Sequence, residues 1–292
     1  MKINQFIDRN VKWIFPLPAA IFIIFMMLFP IIYTLGLSFI EWNMSTGGII
    51  KFVGLKNYFK MFKEPRFYHA LYLTFYFTIL AVSAETILGV LAAMVLNERF
   101  HGKDFVKFIL LLPMVTTPVA IGLAWTLFYE PTIGLGNYAL KLLGLQPIKW
   151  IASNTTVIPS LALVDIWEWT PMITLIVLAG LASMPQEPYE AALVDGANRF
   201  QTFYNITLPL LSPTILVAVV LRSIDALKTF DIIYVMTTGG PGFASETLNI
   251  YAYSLGFGYY RFGAASATLV ALFFIVLGFS GLVLKVRKTV EL

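Results

Sequence analysis

The sequence predicts an all-α membrane protein, one bundle of six transmembrane helices, on three observations. Of its 292 residues, 59% are hydrophobic and 12% charged, against roughly 25% charged in soluble domains. Six runs free or nearly free of charge are long enough to span, since crossing about 30 Å of hydrocarbon takes about 20 helical residues. The segments between them are too short for a separate folded unit, so a single domain over 1–292 is expected. The chain has no Cys, which excludes disulfides and thiolate chemistry. The net charge of +4 reads as basic loops beside anionic lipid and not as nucleic-acid binding.

The first span is expected at about 13–40. Lys2, Arg9 and Lys12 precede it, but the uncharged run is too long for a signal-peptide core of about 7–15 residues, so it reads as a retained span. The second, about 67–96, is interrupted by Glu85. The third, about 108–129, is a run without charge. The fourth, about 157–182, contains Asp165 and Glu168. The fifth begins at 200, is uncharged to Leu221 and continues to about 228. The sixth covers about 262–284. Prolines in or near these runs (16, 18, 30, 113, 118, 159, 171, 209 and 213) predict kinked helices, which packed neighbours tolerate.

An even number of spans puts both termini on one side, and the denser Lys/Arg of that side makes it cytoplasmic. The three outward segments are then about 41–66, 130–156 and 233–261. Their "NMSTGG", "EPTIGLGN" and "TTGGPGFASE" stretches have the Gly, Asn, Ser and Pro of loops. The last reads as a turn before the sixth span, or equally as an outer gate or a docking loop.

One inward segment, 185–209, interrupts the apolar pattern; most of it lies in the stretch "EPYEAALVDGANRFQTFYNITLPLLSP", residues 187–213. Pro185 and Pro188 end the fourth span and pre-set a new helix start. Gly196 is the natural C-terminal stop of a two-turn helix. Glu190 suits the positive N-terminal end. Ala191 and Ala192 allow close approach of another surface, and Leu193 and Val194 add apolar contact. Interfacial helices on anionic lipid are usually basic. This one carries Glu187, Glu190 and Asp195, so a protein partner fits better.

Glu190-Ala191-Ala192, three residues, Gly196, nine residues, Ile206, one residue, Leu208-Pro209 resembles in full the EAA signature of ABC importer permeases. "LNERFHGKDFVKFILLLPMVTTPVAIGLAW" and "FDIIYVMTTGGPGFASETLNIYAYSLGF" are similar to the carbohydrate, maltose-type branch, over about Pro16 to Lys288. The resemblance implies an ABC importer permease bundle with a cytoplasmic coupling helix. Glu190, Ala191, Ala192, Leu193 and Gly196 would dock in a cleft of an ATP-binding subunit. Ile206, Leu208 and Pro209 would anchor the return to the membrane. It also implies a prokaryotic plasma-membrane location with both termini cytoplasmic. The implied partners are an ATPase dimer that binds ATP and Mg, a second homologous permease forming a heterodimer, an extracytoplasmic sugar-binding protein and membrane lipid.

The residues agree that chemistry lies elsewhere. There is no G-x-x-x-x-G-K-[ST] to cradle ATP and no G-x-S-x-G nucleophile elbow. His69 and His101 have no second ligand at metal spacing, and no cofactor is expected on this chain. Intramembrane acids are costly and default to function, which singles out Glu85, Asp165, Glu168 and Asp225. In "DIWEW" carboxylates suit sugar hydroxyls and the Trp167 indole suits a pyranose face. The bland readings are an interfacial Trp anchor and an Asp225–Lys228 ion pair at i,i+3. A sugar-importer permease subunit is the leading function. A self-sufficient secondary transporter, with Glu85 and Asp165 as proton or cation sites, is the alternative, and a membrane enzyme acting on lipid-linked sugars is third.

Overall fold

The computed structural model describes residues 12, 15–44 and 47–290. Lys2 and Arg9, the start of the first predicted span at Trp13, and the Ser45–Thr46 centre of "NMSTGG" lie outside these residues. The chain divides into two compact units, one of residues up to Glu64 with Ala252–Ala271, the other of Pro65–Tyr251 with Leu272 onward.

In the first unit, helix α1 (Leu17–Ser38) begins behind Pro16 and exposes apolar side chains along its length. A short antiparallel hairpin follows, β1 (Ile40–Trp42) with β2 (Ile50–Phe52), which pairs Glu41 with Lys51. An all-helical reading missed it. Its strand residues are β-branched or aromatic at alternate positions, and Gly47 and Gly48 supply the positive φ of the connection. Helix α2 (Lys56–Met61) is tied to this unit through Asn57, whose amide nitrogen donates to the Ser38 and Ile40 carbonyls, both at 2.9 Å.

The second unit contains the long helices α3 (Pro65–Asn97) and α7 (Val157–Ala182), which pack against one another more extensively than any other pair of helices among the described residues. Lipid supplies no hydrophobic drive between helices, so association rests on close packing of small residues. Gly89 on α3 shows this: a Cβ there would fall 2.7 Å from Ile173 Cγ2 on α7. Helix α10 (Leu208–Ala226) completes the trio; a Cβ on Gly180 of α7 would sit 2.8 Å from Thr214 Cγ2. Val90, Ala93, Ile173, Val177, Leu211 and Ala218 form the packed core among them.

The third predicted span is not one helix. Helix α4 (Lys103–Val115) and helix α5 (Pro118–Phe128) meet at a 100° bend. Thr116 and Thr117 are extended, with ψ of 146° and 138°. Pro118 disfavours the helical region for the residue before it, so the apolar composition persists while the helix cannot. Among the described residues, five helices are long and apolar enough to cross a membrane, or six if the bent pair is one span. Helix α7 runs over the same residues as the fourth run of the sequence, 157–182. The remaining elements are α6 (Leu135–Leu142), α8 (Glu187–Val194), α9 (Arg199–Thr202), α11 (Asp231–Thr237), α12 (Leu248–Tyr253) and α13 (Phe262–Val290).

The "TTGGPGFASE" loop is far from a loose turn. Thr238 and Phe243 have positive φ, and the Ser245 hydroxyl donates to the Gly240 carbonyl at 2.6 Å. Glu246 is buried and takes both oxygens to Arg66, at 2.6 and 2.7 Å, while the guanidinium stacks 3.8 Å from the Phe243 ring centre.

Candidate functional site: a buried charge cluster and an exposed two-turn helix

Three helices of the trio each bring a charge to one point. Glu85 of α3, Asp165 of α7 and Arg222 of α10 are all within 1% of full burial. Arg222 Nε lies 2.7 Å from Glu85 Oε2 and its Nη2 donates to Glu85 Oε1 at 3.1 Å; Nη2 also pairs with Asp165. A lone charge in such a place is costly, and pairing with hydrogen bonding is what makes it tolerable. Planar guanidinium can serve two carboxylates at once, which a lysine ammonium does less well.

The "DIWEW" stretch turns in two directions. Asp165, Glu168 and Trp169, spaced i, i+3, i+4, lie toward the cluster. Trp169 places its ring centre 5.2 Å from the Arg222 guanidinium carbon. Glu168 is 1% exposed, and its Oε2 has no hydrogen-bond partner among the described residues. Trp167 is 46% exposed and packs edge-on against Trp125 of α5, centroids 5.7 Å apart. The structure thus does not bring Trp167 and Glu168 together as one contact surface. Asp225 is apart from the cluster as well: half-exposed, it pairs with Lys228 at 3.2 Å, the simple i,i+3 ion pair.

Arg222 was missed by sequence reasoning because it follows immediately on an uncharged run and so looked like the run's end. Charge balance held the signal. Two acids committed to hydrocarbon require a cation at similar depth, and Arg222 is the basic residue at the C-terminal end of the fifth uncharged run, Arg199 standing at its start.

The second feature is α8. Pro188 stands in its first turn with Glu187 and Glu190. At its end the Gly196 N–H donates to the Leu193 carbonyl at 3.2 Å and the Ala197 N–H to the Ala192 carbonyl at 2.9 Å. With Gly196 at φ +72° this is a complete Schellman stop, which a left-handed residue requires. Ala192 is buried, while Leu193 and Val194 are 79% and 87% exposed. Glu190 and Ala191 are exposed too. Tyr189 fixes the helix from behind, its hydroxyl 3.2 Å from Thr207 Oγ1. The chain then re-enters the trio through a capping box, in which Asn198 Oδ1 accepts from the Gln201 N–H at 3.0 Å and Gln201 Oε1 from the Asn198 N–H at 2.8 Å. A π turn (Phe203–Thr207) holding Ile206 leads into Leu208 and Pro209, which open α10. Beside α8 lies a cleft of about 570 Å³ lined in part by Met94, Glu98, Met184, Tyr189, Leu193 and Arg199.

These features define a polytopic helical membrane protein with a short helix exposed beyond its spans. A family profile described as the binding-protein-dependent transport system inner membrane component matches residues 85–287. The trehalose/maltose transport system permease protein MalF of Thermococcus litoralis is 41% identical over 240 residues, covering 81% of this chain and 80% of that one. The sulfoquinovosyl glycerol transport system permease protein SmoG of Agrobacterium fabrum is 33% identical over 282 residues, 97% of this chain and 92% of its own. Among solved structures, a bacterial ABC transporter involved in import of the acidic polysaccharide alginate matches with TM-score 0.83 at 23% identity, over 99% of both chains. The MetNI methionine ABC transporter in an inward-facing conformation matches with TM-score 0.56 at 16% identity, over 76% of this chain and 94% of that one. The chain belongs to the family of binding-protein-dependent transport system inner membrane components.

Proposed function

We propose that this chain is a sugar-transporting permease subunit of an ATP-driven ABC importer, working by alternating access as one transmembrane domain with both termini cytoplasmic. A mono- or oligosaccharide or related polyol is the substrate class, which the names of the MalF and SmoG relatives support. A dimer of ATP-binding subunits, holding ATP and Mg, supplies the energy; a second homologous permease and an external sugar-binding protein complete the assembly.

The observation that carries this reading is the exposed face of α8. Leu193 and Val194 stand out on a helix whose first turn and C-cap are acidic. Acidic charge disfavours anionic lipid and the apolar pair disfavours water, so a protein partner satisfies both. Glu190 would meet a basic group of the ATPase, and Ala191 and the side-chain-free Gly196 would let its cleft close on the helix, while the small Ala192 lets the helix seat closely on its own chain. Because α8 is linked to α7 on one side and α10 on the other, its displacement on ATPase closure would act on the two helices that carry Asp165 and Arg222. The ATP-bound partner must then favour the outward-facing arrangement by differential contact.

The test is Leu193→Asp with Val194→Asp in the complete transporter. Loss of ATPase co-purification, or ATP hydrolysis that no longer responds to sugar-loaded binding protein, is expected. Uptake and co-purification at normal levels would sink the docking model.

A further inference from the structure

Helix α6 is held from inside and turns its apolar side out, the reverse of a surface helix in water. Gly136 and Asn137 are buried. The Asn137 amide nitrogen donates to the Pro131 and Ile148 carbonyls, each at 3.1 Å, and its oxygen accepts from the Ile148 N–H and Trp150 Nε1, each at 3.0 Å. A Cβ on Gly136 would meet the Phe128 ring at 3.1 Å and Trp150 Nε1 at 3.2 Å. The orientation of α6 is therefore fixed by the protein itself. On the opposite side Leu135, Tyr138 and Leu142, at i, i+3 and i+7, are 65%, 60% and 71% exposed, and Ile133 before them is 85% exposed. Thr132, Ile133, Leu135, Tyr138 and Lys141 line one hollow of about 250 Å³.

Two further observations choose the occupant. The exposed face contains Lys141 and no acid; the nearby Glu130 is turned onto its own loop, where Oε2 accepts from the Thr132 and Ile133 N–H groups at 2.7 Å. The exposed stripe Val119, Leu123, Leu127 on α5, at four-residue spacing, leads directly into this segment. A side chain set of Leu, Ile, Tyr and a long-stemmed Lys suits the boundary between acyl chains and headgroups, where Tyr and Lys keep a polar tip in water. A delivery protein that must leave in every cycle would meet a more polar surface than this.

We propose that α6 is a membrane-surface helix, seated in the lipid headgroup layer with Ile133, Leu135, Tyr138 and Leu142 toward the acyl chains and the Lys141 ammonium beside anionic phospholipid headgroups. It holds the α5–α7 connection at a fixed depth.

Because the chain has no Cys, Leu135→Cys and Leu142→Cys can each carry a single nitroxide here, in a complete transporter whose other subunits are also cysteine-free. In vesicles of phosphatidylcholine with phosphatidylglycerol, both labels should collide severalfold more with dissolved oxygen than with a water-soluble nickel chelate. Free access of the nickel chelate, or shielding from both reagents as under a protein partner, overturns the proposal. Adding Lys141→Glu should move both labels toward water in phosphatidylglycerol-containing vesicles and less so in phosphatidylcholine alone; an equal response in the two overturns the headgroup contact.

Discussion

Arg222 on α10 holds Glu85 on α3 through two nitrogens, at 2.7 and 3.1 Å, although the two are 137 positions apart in sequence. Asp165 on α7 joins the same guanidinium. One arginine thus ties together all three helices of the packed trio, and both acids are already engaged by it. A free proton- or cation-binding pair, as a self-sufficient secondary transporter would use, is not what these two carboxylates form.

Breaking this cluster should cost more than removing it. Arg222→Met leaves two buried carboxylates without their cation, a loss of about 3–5 kcal/mol for a broken buried pair. Glu85→Gln with Asp165→Asn and Arg222→Met together should recover part of that loss. Thermal unfolding of the purified complex decides it; a triple variant less stable than Arg222→Met alone would falsify the pairing argument.

Gly89 is expected to admit no side chain. Gly89→Val forces Ile173 away and overpacks the α3–α7 interface, at about 1–3 kcal/mol. Ile173→Ala in the same chain removes the nearest carbon and should restore stability in part, since Ile173 Cβ and the Thr174 nitrogen stay within 2.9 and 3.2 Å of the new Cβ. Melting temperatures of the single and double variants test the pair.

Gly196 separates backbone strain from docking. No atom lies within 4 Å of a Cβ added there, so Gly196→Ala costs the left-handed penalty, about 1 kcal/mol or more, without a clash inside this chain. Gly196→Asn, which tolerates that conformation better, should preserve the fold. If Gly196→Asn still blocks uptake while melting normally, the side chain obstructs a partner. Normal uptake from it would mean the position serves only to end α8.

The loop after α5 should loosen in acid. The backbone N–H of Ile133, then the Thr132 hydroxyl, hold the Glu130 carboxyl below its ordinary range. A depressed carboxylate contributes order above its unfolded pKa and loses it as pH falls through the folded value. Exchange of the Ile133 amide, corrected for the intrinsic pH effect, should accelerate there in the native chain and show no such step in Glu130→Gln.

Glu168 and Trp167 should respond differently to substitution. Glu168 is buried with an unpartnered oxygen, whereas Trp167 is half-exposed against Trp125. Glu168→Gln should alter transport kinetics with ATPase association intact, and Trp167→Phe should change them little. Identical effects of the two would return "DIWEW" to a single role.

Much of this architecture is legible in the residues. Apolar runs announce spans because a helix in hydrocarbon must be apolar over a length set by the bilayer, and the α7 limits follow from that alone. The stop at Gly196 is equally local, since only the chain's own carbonyls and N–H groups are involved. The break between α4 and α5 was written in Pro118 but hidden by unbroken hydropathy, which measures composition and not backbone geometry. The β hairpin was hidden by shortness, three residues a strand being too few for a period to register.

What the sequence determined by itself is the membrane class, the number and rough extent of the apolar runs, the two-turn form of α8 and its match to the EAA spacing. All of these rest on neighbours along the chain. Tertiary structure decided which charges meet, which side of "DIWEW" is buried and which face of α6 is left exposed. Arg222, Glu85 and Asp165 are far apart in sequence, and only the packing of α3, α7 and α10 at small residues brings them within hydrogen-bonding distance. That contact is a property of three helices at once, so no one of them carries it in its own pattern.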